Sequence, residues 1–498
     1  MIALRTANKL NIDVTRLAWP ALLLAGLGVR LPGISAALWY DEAFSAWLAQ
    51  LPLINLIEAT ITDVHPPGYY LLLWAINQIA GHSEAVLRLP SLLAGLGLIY
   101  VVFRLAQALE LPERTAWLAA IITAASPFQV YYSQEARSYA LLTLCVALAA
   151  LWLAEHKFSR AVLASVAALY LHNIGIIFVV SLWGLAVMRM AEHGHAEWNW
   201  KPWLLSLAGL PGLVITSYQA GNVAGGYWVP PITSPGRLLA VLDDLLWFTP
   251  NNPFVIATGL ITAISLLAML LELRRRRPAV INLAWMVLVP LLLFTAASLL
   301  AQPVLISRIM APAAPFYILW LAATVGAPTR LPAWSALAVP TAALILTGPL
   351  WGAGGREPLD RDMISLYGQY QPADAIYHAN VGSYVVWDYY RPDIPQFVWP
   401  QHTSLSQTLT GPTRTAMGMH EINFEFIKCV NLPQDGGQIE RWWLIYFHNP
   451  VTDPAEIEYV DYLTTSFPAR PVKRLRSDAT VEAWLWQIDP ECSHDRIP

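Results

Sequence analysis

Charge is scarce in this chain. Of 498 residues only 13% are Asp, Glu, Lys or Arg, whereas 56% are hydrophobic, and the mean hydropathy is +0.46. Soluble proteins carry about 25% charged residues, so the composition is that of an integral membrane protein. Cysteine is nearly absent too. Cys145 falls in an apolar run, which leaves Cys429 and Cys492 as a disulfide pair or as two buried thiols. CxxC and HExxH are missing, and no Gly-rich loop follows a strand and opens a helix. A phosphate would therefore have to be held by side chains or helix ends. The net charge of -4 provides no basic surface for nucleic acid. A cleavable signal is missing as well. Arg5, Lys9 and Arg16 lead into an apolar stretch without a small-residue cleavage site, so Leu17–Ala36 reads as a retained first span.

What is present sets a topology. Arg274 to Arg277 lie between two apolar stretches and anchor that end of the bundle on the cytoplasmic side. Counting outward gives about eleven spans: 17–36, 88–106, 115–130, 139–153, 161–171, 174–190, 203–219, 254–271, 280–300, 309–325 and 334–350. Residues 66–80 are too short to cross the hydrocarbon at roughly 1.5 Å per residue, and they end in Asn77 and Gln78. They are expected to lie as a helix in the outer interface, within a large first outer loop, 32–87. This gives a transmembrane catalytic domain over 1–351. Residues 352–498 are expected to form an extracytoplasmic soluble α/β domain, with strands at 374–378 and 442–447. The cell's plasma membrane is the expected location.

Polar chemistry gathers at the outer face. Asp41 and Glu42 stand in Leu38-Trp39-Tyr40-Asp41-Glu42-Ala43-Phe44, with no Lys or Arg from Leu31 to Gly81 to neutralise them. Ionisable residues at a membrane face are costly and point to function. Asp63 and His65 precede Pro66-Pro67-Gly68-Tyr69-Tyr70, and Ser133-Gln134-Glu135-Ala136-Arg137-Ser138-Tyr139 joins two spans. Arg88 and Arg308 each open a span from the outside, against the usual bias of basic residues. Each group also has a plainer reading. Glu135 with Arg137 could be a packing ion network, Asp41 a solvated loop acid, and His65 a satisfied polar residue before a turn. Glu58 and Asp63 read as surface acids, and His172 with Asn173 as a turn. Tyr69, Tyr70, Tyr131, Tyr132, Tyr227 and Trp228 could stack on sugar or belong to an interfacial aromatic belt. Together, a carboxylate to deprotonate a hydroxyl and cations to receive a phosphate suit glycosyl transfer from a lipid phosphate.

At these motifs the sequence resembles the integral membrane glycosyltransferases of the GT-C fold, in the group joining protein O-mannosyltransferases, the aminoarabinose transferase of lipid A and the Rgt-type transferases. The resemblance runs from Trp39 to Leu151, through WYDEAFSA, HPPGYYLLLW, LRLPSLLAGL and SPFQVYYSQEARSYALL, with an echo from Ser307 in SRIMAPAAPFYILW. It implies a polytopic α-helical GT-C architecture and inverting transfer from a polyprenyl-phosphate sugar to a glycan, lipid or protein acceptor. It also implies Asp41 as the catalytic acidic residue of the first outer loop, acting as general base, with Glu42 its neighbour and Glu135 in a second acidic motif. Arg88 and Arg308 match phosphate-side arginines, and His65, Arg137 and Tyr69 complete the expected substrate contacts. His65 stands where the aminoarabinose transferases carry Lys. No metal ligands are assigned, although a divalent metal is left open as an assistant. Two other classes remain: a transporter or flippase of lipid-linked sugars, which would carry ionisable residues midway along its spans, and a non-catalytic receptor.

Overall fold

The computed structural model describes residues 14–192, 201–224, 229–247 and 255–325, and, further on, 370–371, 374–379, 381–398, 441–447, 473–476 and 481–487. The first helix, α1 (Val14–Gly28), covers 17–28 of the first span expected over 17–36. It ends in a turn at Gly33, whose φ of 79° suits glycine. The loop that follows is itself helical: α2 (Tyr40–Leu48), α3 (Leu53–Thr62) and α4 (Gly68–Ala80). The helix expected over 66–80 is thus present, and two more stand before it. Each starts next to a breaker or an acid. Pro52 and Pro67 precede α3 and α4, and Asp41 and Glu42 sit in the first turn of α2, where the helix dipole favours carboxylates.

The bundle continues with α5 (Glu84–Ala108), α6 (Glu113–Ala125), α7 (Pro127–Ser133), α8 (Tyr139–Ala154), α9 (Phe158–Leu171) and α10 (Gly175–Glu192). Next come α11 (Lys201–Ser206), α12 (Leu210–Ala224), α13 (Gly236–Trp247), α14 (Val255–Leu273), α15 (Pro278–Leu300) and α16 (Ala314–Val325). Several expected single spans are broken, and proline is the common reason. The span expected over 115–130 splits at Ser126, which is extended (ψ 125°) as a residue before proline should be, and α7 restarts with Pro127. The span over 203–219 changes to a short 3-10 turn before Pro211, and 309–325 opens as a 3-10 segment, Ser307–Ala313, containing Pro312. The span expected over 334–350 lies outside the described residues, as do Tyr227, Trp228, Cys429 and Cys492.

Among the described residues, Glu84–Ala108, Val255–Leu273, Pro278–Leu300 and Ser307–Val325 are long and apolar enough to cross a bilayer. Their outward sides carry bare apolar chains such as Ile264 (69% exposed) and Leu292 (65%), as lipid-facing surfaces do. Helix ends alternate between two poles. At one, Arg104 bonds to Glu155 and Arg189 to Asn282. That pole also holds the arginines 274–277 between α14 and α15. At the other stand Asp41, Arg88, Arg137 and Arg308.

Beyond the bundle, β1 (Asp374–His378), α17 (Val381–Tyr390), β2 (Gln396–Val398), β3 (Arg441–Phe447), β4 (Lys473–Arg476) and β5 (Val481–Gln487) form a sheet of order β2-β1-β3-β5-β4 with one helix on it. β1 runs parallel to β2 and β3, and β5 antiparallel to β3 and β4. Both strands expected from sequence are there. The sheet does not hang free of the bundle, because Trp387, Tyr384 and Ile445 share one buried core with Leu38, Phe44 and Leu73. The Leu38 N–H donates to Tyr390 Oη (2.9 Å), and Tyr389 Oη donates to the His82 carbonyl (2.9 Å).

Candidate active site

Four loops meet where the helix ends converge, and a sequence of charged contacts runs through them. Asp41, in the first turn of α2, accepts a hydrogen bond from Arg308 Nη1 at Oδ2 (3.0 Å). Arg137, between α7 and α8, brings Nε to 3.9 Å from the same oxygen and donates from Nη1 to the Asp41 carbonyl, Ser45 Oγ and Tyr70 Oη at 3.3–3.4 Å. Arg137 Nη2 lies 3.3 Å from His65 Nε2. Because a guanidinium only donates, His65 Nε2 must accept, and the ring proton sits on Nδ1, 3.9 Å from Asp63 Oδ2.

Electrostatics follow from this packing. Burial alone would raise the Asp41 pKa. The Coulombic pull of Arg137, then of Arg308, outweighs it and holds the carboxyl below its ordinary 3.8. Burial, aided by Arg137, pushes His65 down to about 3, so the imidazole is neutral at physiological pH. Burial pushes Asp63 up to about 6, against a bond from the Val64 backbone. Asp63 is therefore not the surface acid expected from sequence. It is 2% exposed, whereas Glu58 is on the surface as expected.

The Asp63–His65 loop is held from behind by residues that sequence reading treated as a turn or passed over. Gln219 Nε2, on α12 and fully buried, donates to the carbonyls of Thr60 (2.7 Å) and His65 (2.9 Å). Asn173 Nδ2 donates to the Val64 carbonyl (2.8 Å) and to Gln219 Oε1 (3.0 Å). His172 packs edge-on to His65 at 4.8 Å. A buried amide within an apolar span, as at Gln219, is the signal that could have found this network.

Arg88 and Glu42 stand differently from Asp41 and Arg308. Sequence reading gave Arg88 to phosphate and Glu42 to catalysis, but the two are fully buried and paired to each other. Arg88 Nε donates to Glu42 Oε1 (2.8 Å) and Nη2 to Oε2 (2.5 Å). Its other hydrogens go to carbonyls of the first loop: Ile34 (2.9 Å), Ala36 (2.6 Å) and Ala37 (3.2 Å). Glu42 Oε1 also takes the Ala136 N–H (2.7 Å). Every donor of that guanidinium thus has a protein acceptor, which leaves none to offer a ligand. Glu135 is likewise buried (2% exposed), its charge felt by Arg88 and Arg137, and Tyr69 lies in the core beside Tyr70 at 2% exposure. Asp41 and Arg308 keep partial access, with side chains 16% and 19% exposed.

Arg30 went unnoticed in the sequence. Fully buried at the end of α1, it donates to the carbonyls of Gly26, Thr123 and Ala124 and to Ser133 Oγ, which fastens α1 to α6 and α7. Gly95 makes room for this junction, since a Cβ there would overlap the Ser133 hydroxyl. Among the described residues no three of His, Cys, Asp and Glu cluster as metal ligands.

Residues 64–217 match the model of the dolichyl-phosphate-mannose-protein mannosyltransferase family. No curated protein matches the chain by sequence. Among solved structures, ArnT from Cupriavidus metallidurans in the apo state superposes with a TM-score of 0.62 and 14% identity, covering 95% of this chain and 98% of that one. The same protein bound to undecaprenyl phosphate gives 0.61 at the same identity and coverage. The likeness extends over nearly the whole of both chains and shows that they share a fold.

Proposed function

Taking the chain as a membrane glycosyltransferase of the GT-C fold, which the family match and the shared fold support together, we propose that it transfers a sugar from a polyprenyl-phosphate donor to an acceptor hydroxyl on the outer face. The observation that carries this reading is the Asp41 carboxylate, held between Arg137 and a partly accessible Arg308 at one pole of an apolar bundle. ArnT, of the same fold, binds undecaprenyl phosphate. The acceptor oxygen attacks the anomeric carbon, the bond to the phosphate oxygen breaks, and its electron pair leaves with the phosphate. Asp41 takes the acceptor proton. A single displacement of this kind inverts the anomeric centre.

Arg308 is the phosphate residue in this scheme. Its bond to Asp41 and a bond to an incoming phosphate compete, so donor binding draws the cation away from the carboxylate. That loosens what depresses the Asp41 pKa and strengthens the base once the donor is seated. Arg137 remains behind, oriented by Tyr70, Ser45 and neutral His65. Arg88, Glu42 and Glu135 hold the loops that carry these groups. Neutral His65 contributes a lone pair to Arg137 and no positive charge toward phosphate.

Replacement of Arg308 tests the assignment. A charge-assisted hydrogen bond contributes about 1.5 to 3 kcal/mol, or roughly 10- to 150-fold in affinity. Arg308→Ala should weaken binding of undecaprenyl phosphate to the purified protein by that factor, and Arg308→Lys should recover part of it. Parent-like affinity in the alanine variant would remove Arg308 from the phosphate site.

A further inference from the structure

Arg308 stands on a segment that does little to fix its own position. Residues 302–306 belong to no helix or strand, and the 3-10 turn from Ser307 is only beginning there. Ser298 Oγ on α15 accepts the N–H groups of Val304 and Leu305 (3.0 Å each), and the contacts nearest Arg308 come from α13, a helix between the spans whose chemistry the scheme above does not use. Arg237 Nη2 donates to the Leu305 carbonyl (3.4 Å), and Ser307 Oγ donates to Asp244 Oδ2. The neighbouring Asp243 faces the other way. It accepts from Thr258 (2.9 Å) and Thr262 (2.6 Å) on α14, while Ser126 Oγ donates to the Leu246 carbonyl (3.0 Å). α13 is thereby pinned to α14 and to the start of α7, and its second aspartate reaches the residue directly before Arg308.

We propose that Asp244, acting through the Ser307 hydroxyl, is the positioning residue that sets Arg308 for the donor phosphate. An ionised carboxylate only accepts hydrogen bonds, so it fixes the Ser307 hydroxyl and with it the backbone from which Arg308 projects. Asp243 supplies the fixed end of that lever. Burying the Asp244 charge is costly, and the Ser307 hydroxyl is the partner that offsets it. Burial indeed pushes Asp244 up to about 6, with the Ser307 bond opposing.

The inference rests on the reading of Arg308 as the phosphate residue, and a double-mutant cycle separates the two. Binding of undecaprenyl phosphate is measured for Asp244→Ala, Ser307→Ala and Ser307→Thr, each with Arg308 present and with Arg308→Ala. Loss of the positioning bond should weaken affinity by about tenfold in Asp244→Ala and in Ser307→Ala, with Ser307→Thr, which keeps the hydroxyl, near the parent. In the Arg308→Ala background neither change should cost more, since the residue they position is gone. Should Asp244→Ala fail to fold, Ser307→Ala, the loss of one hydroxyl, carries the test. Parent-like affinity in Ser307→Ala beside a weakened Arg308→Ala, additive losses, or no rescue by threonine would overturn the positioning role alone. An Arg308→Ala variant that binds like the parent would overturn both.

Discussion

Asp41→Asn should lower turnover by on the order of 10² to 10⁴, the usual contribution of a positioned general base, while binding of undecaprenyl phosphate becomes no weaker. The second half follows from the ion pair. Asparagine keeps the shape but lacks the charge that competes for Arg308, so the cation is freer to meet phosphate. Because the folded-state pKa of Asp41 lies below 3.8, the donor-free carboxylate is ionised throughout the neutral range. Its stabilisation of the fold is present above the unfolded value and is lost as pH falls through the depressed one. Burial pushes both Asp63 and Asp244 up to about 6, so an acid limb near pH 6 in the rate would belong to one of these two carboxyls, and it should vanish in the matching variant, Asp63→Asn or Asp244→Asn. Turnover within threefold of the parent in Asp41→Asn would remove the base.

Arg88→Ala should instead reveal itself in stability. Breaking a buried pair from one side costs about 3 to 5 kcal/mol, because Glu42 would remain buried with the Ala136 N–H as a partner and the carbonyls of residues 34, 36 and 37 would lose their donor. Thermal unfolding in detergent should show a large drop. Arg88→Met combined with Glu42→Gln should recover part of it, since no charge is then stranded. Protein that does fold should bind undecaprenyl phosphate as the parent does, in contrast to Arg308→Ala. A variant with parent-like stability and lost phosphate binding would return Arg88 to the phosphate site.

Arg88 and Arg308 differ in ways that no local stretch of sequence carries. Both arginines open a span at the same pole, and both looked like cations in search of an anion. Only the fold brings Glu42, 46 positions away, onto Arg88, and nothing local in the sequence distinguishes a neighbour that will be consumed in packing from one left accessible. Asp41, His65, Arg137 and Arg308 were legible because each is a polar residue next to a breaker or a span end, where hydrocarbon makes it costly. The helix positions in the bundle are legible from apolar runs, but hydropathy alone does not show their interruptions at Pro127, Pro211 and Pro312. α13 escaped because Gly236–Trp247 is too short and too mixed to read as a span, and its adjacent aspartates act on opposite neighbours only once the helix is placed. Likewise, the strands at 374–378 and 442–447 followed from short strand-like stretches in a mixed region, whereas the docking of α17 on α2 is a long-range contact that no local pattern carries.

Transfer itself is best measured with purified protein, a panel of undecaprenyl-phosphate-linked hexoses and pentoses carrying labelled sugar, and an acceptor fraction from the membranes that contain the protein. Release of free undecaprenyl phosphate and appearance of label on a new hydroxyl are followed together. One labelled sugar should move to acceptor with one lipid phosphate released per transfer, and Asp41→Asn should lower both signals together by the same factor of about 10² to 10⁴ without weakening lipid binding. Intact lipid-linked sugar crossing a vesicle bilayer at equal rates in the parent and in Asp41→Asn, with no phosphate released, would contradict transfer and identify a transporter.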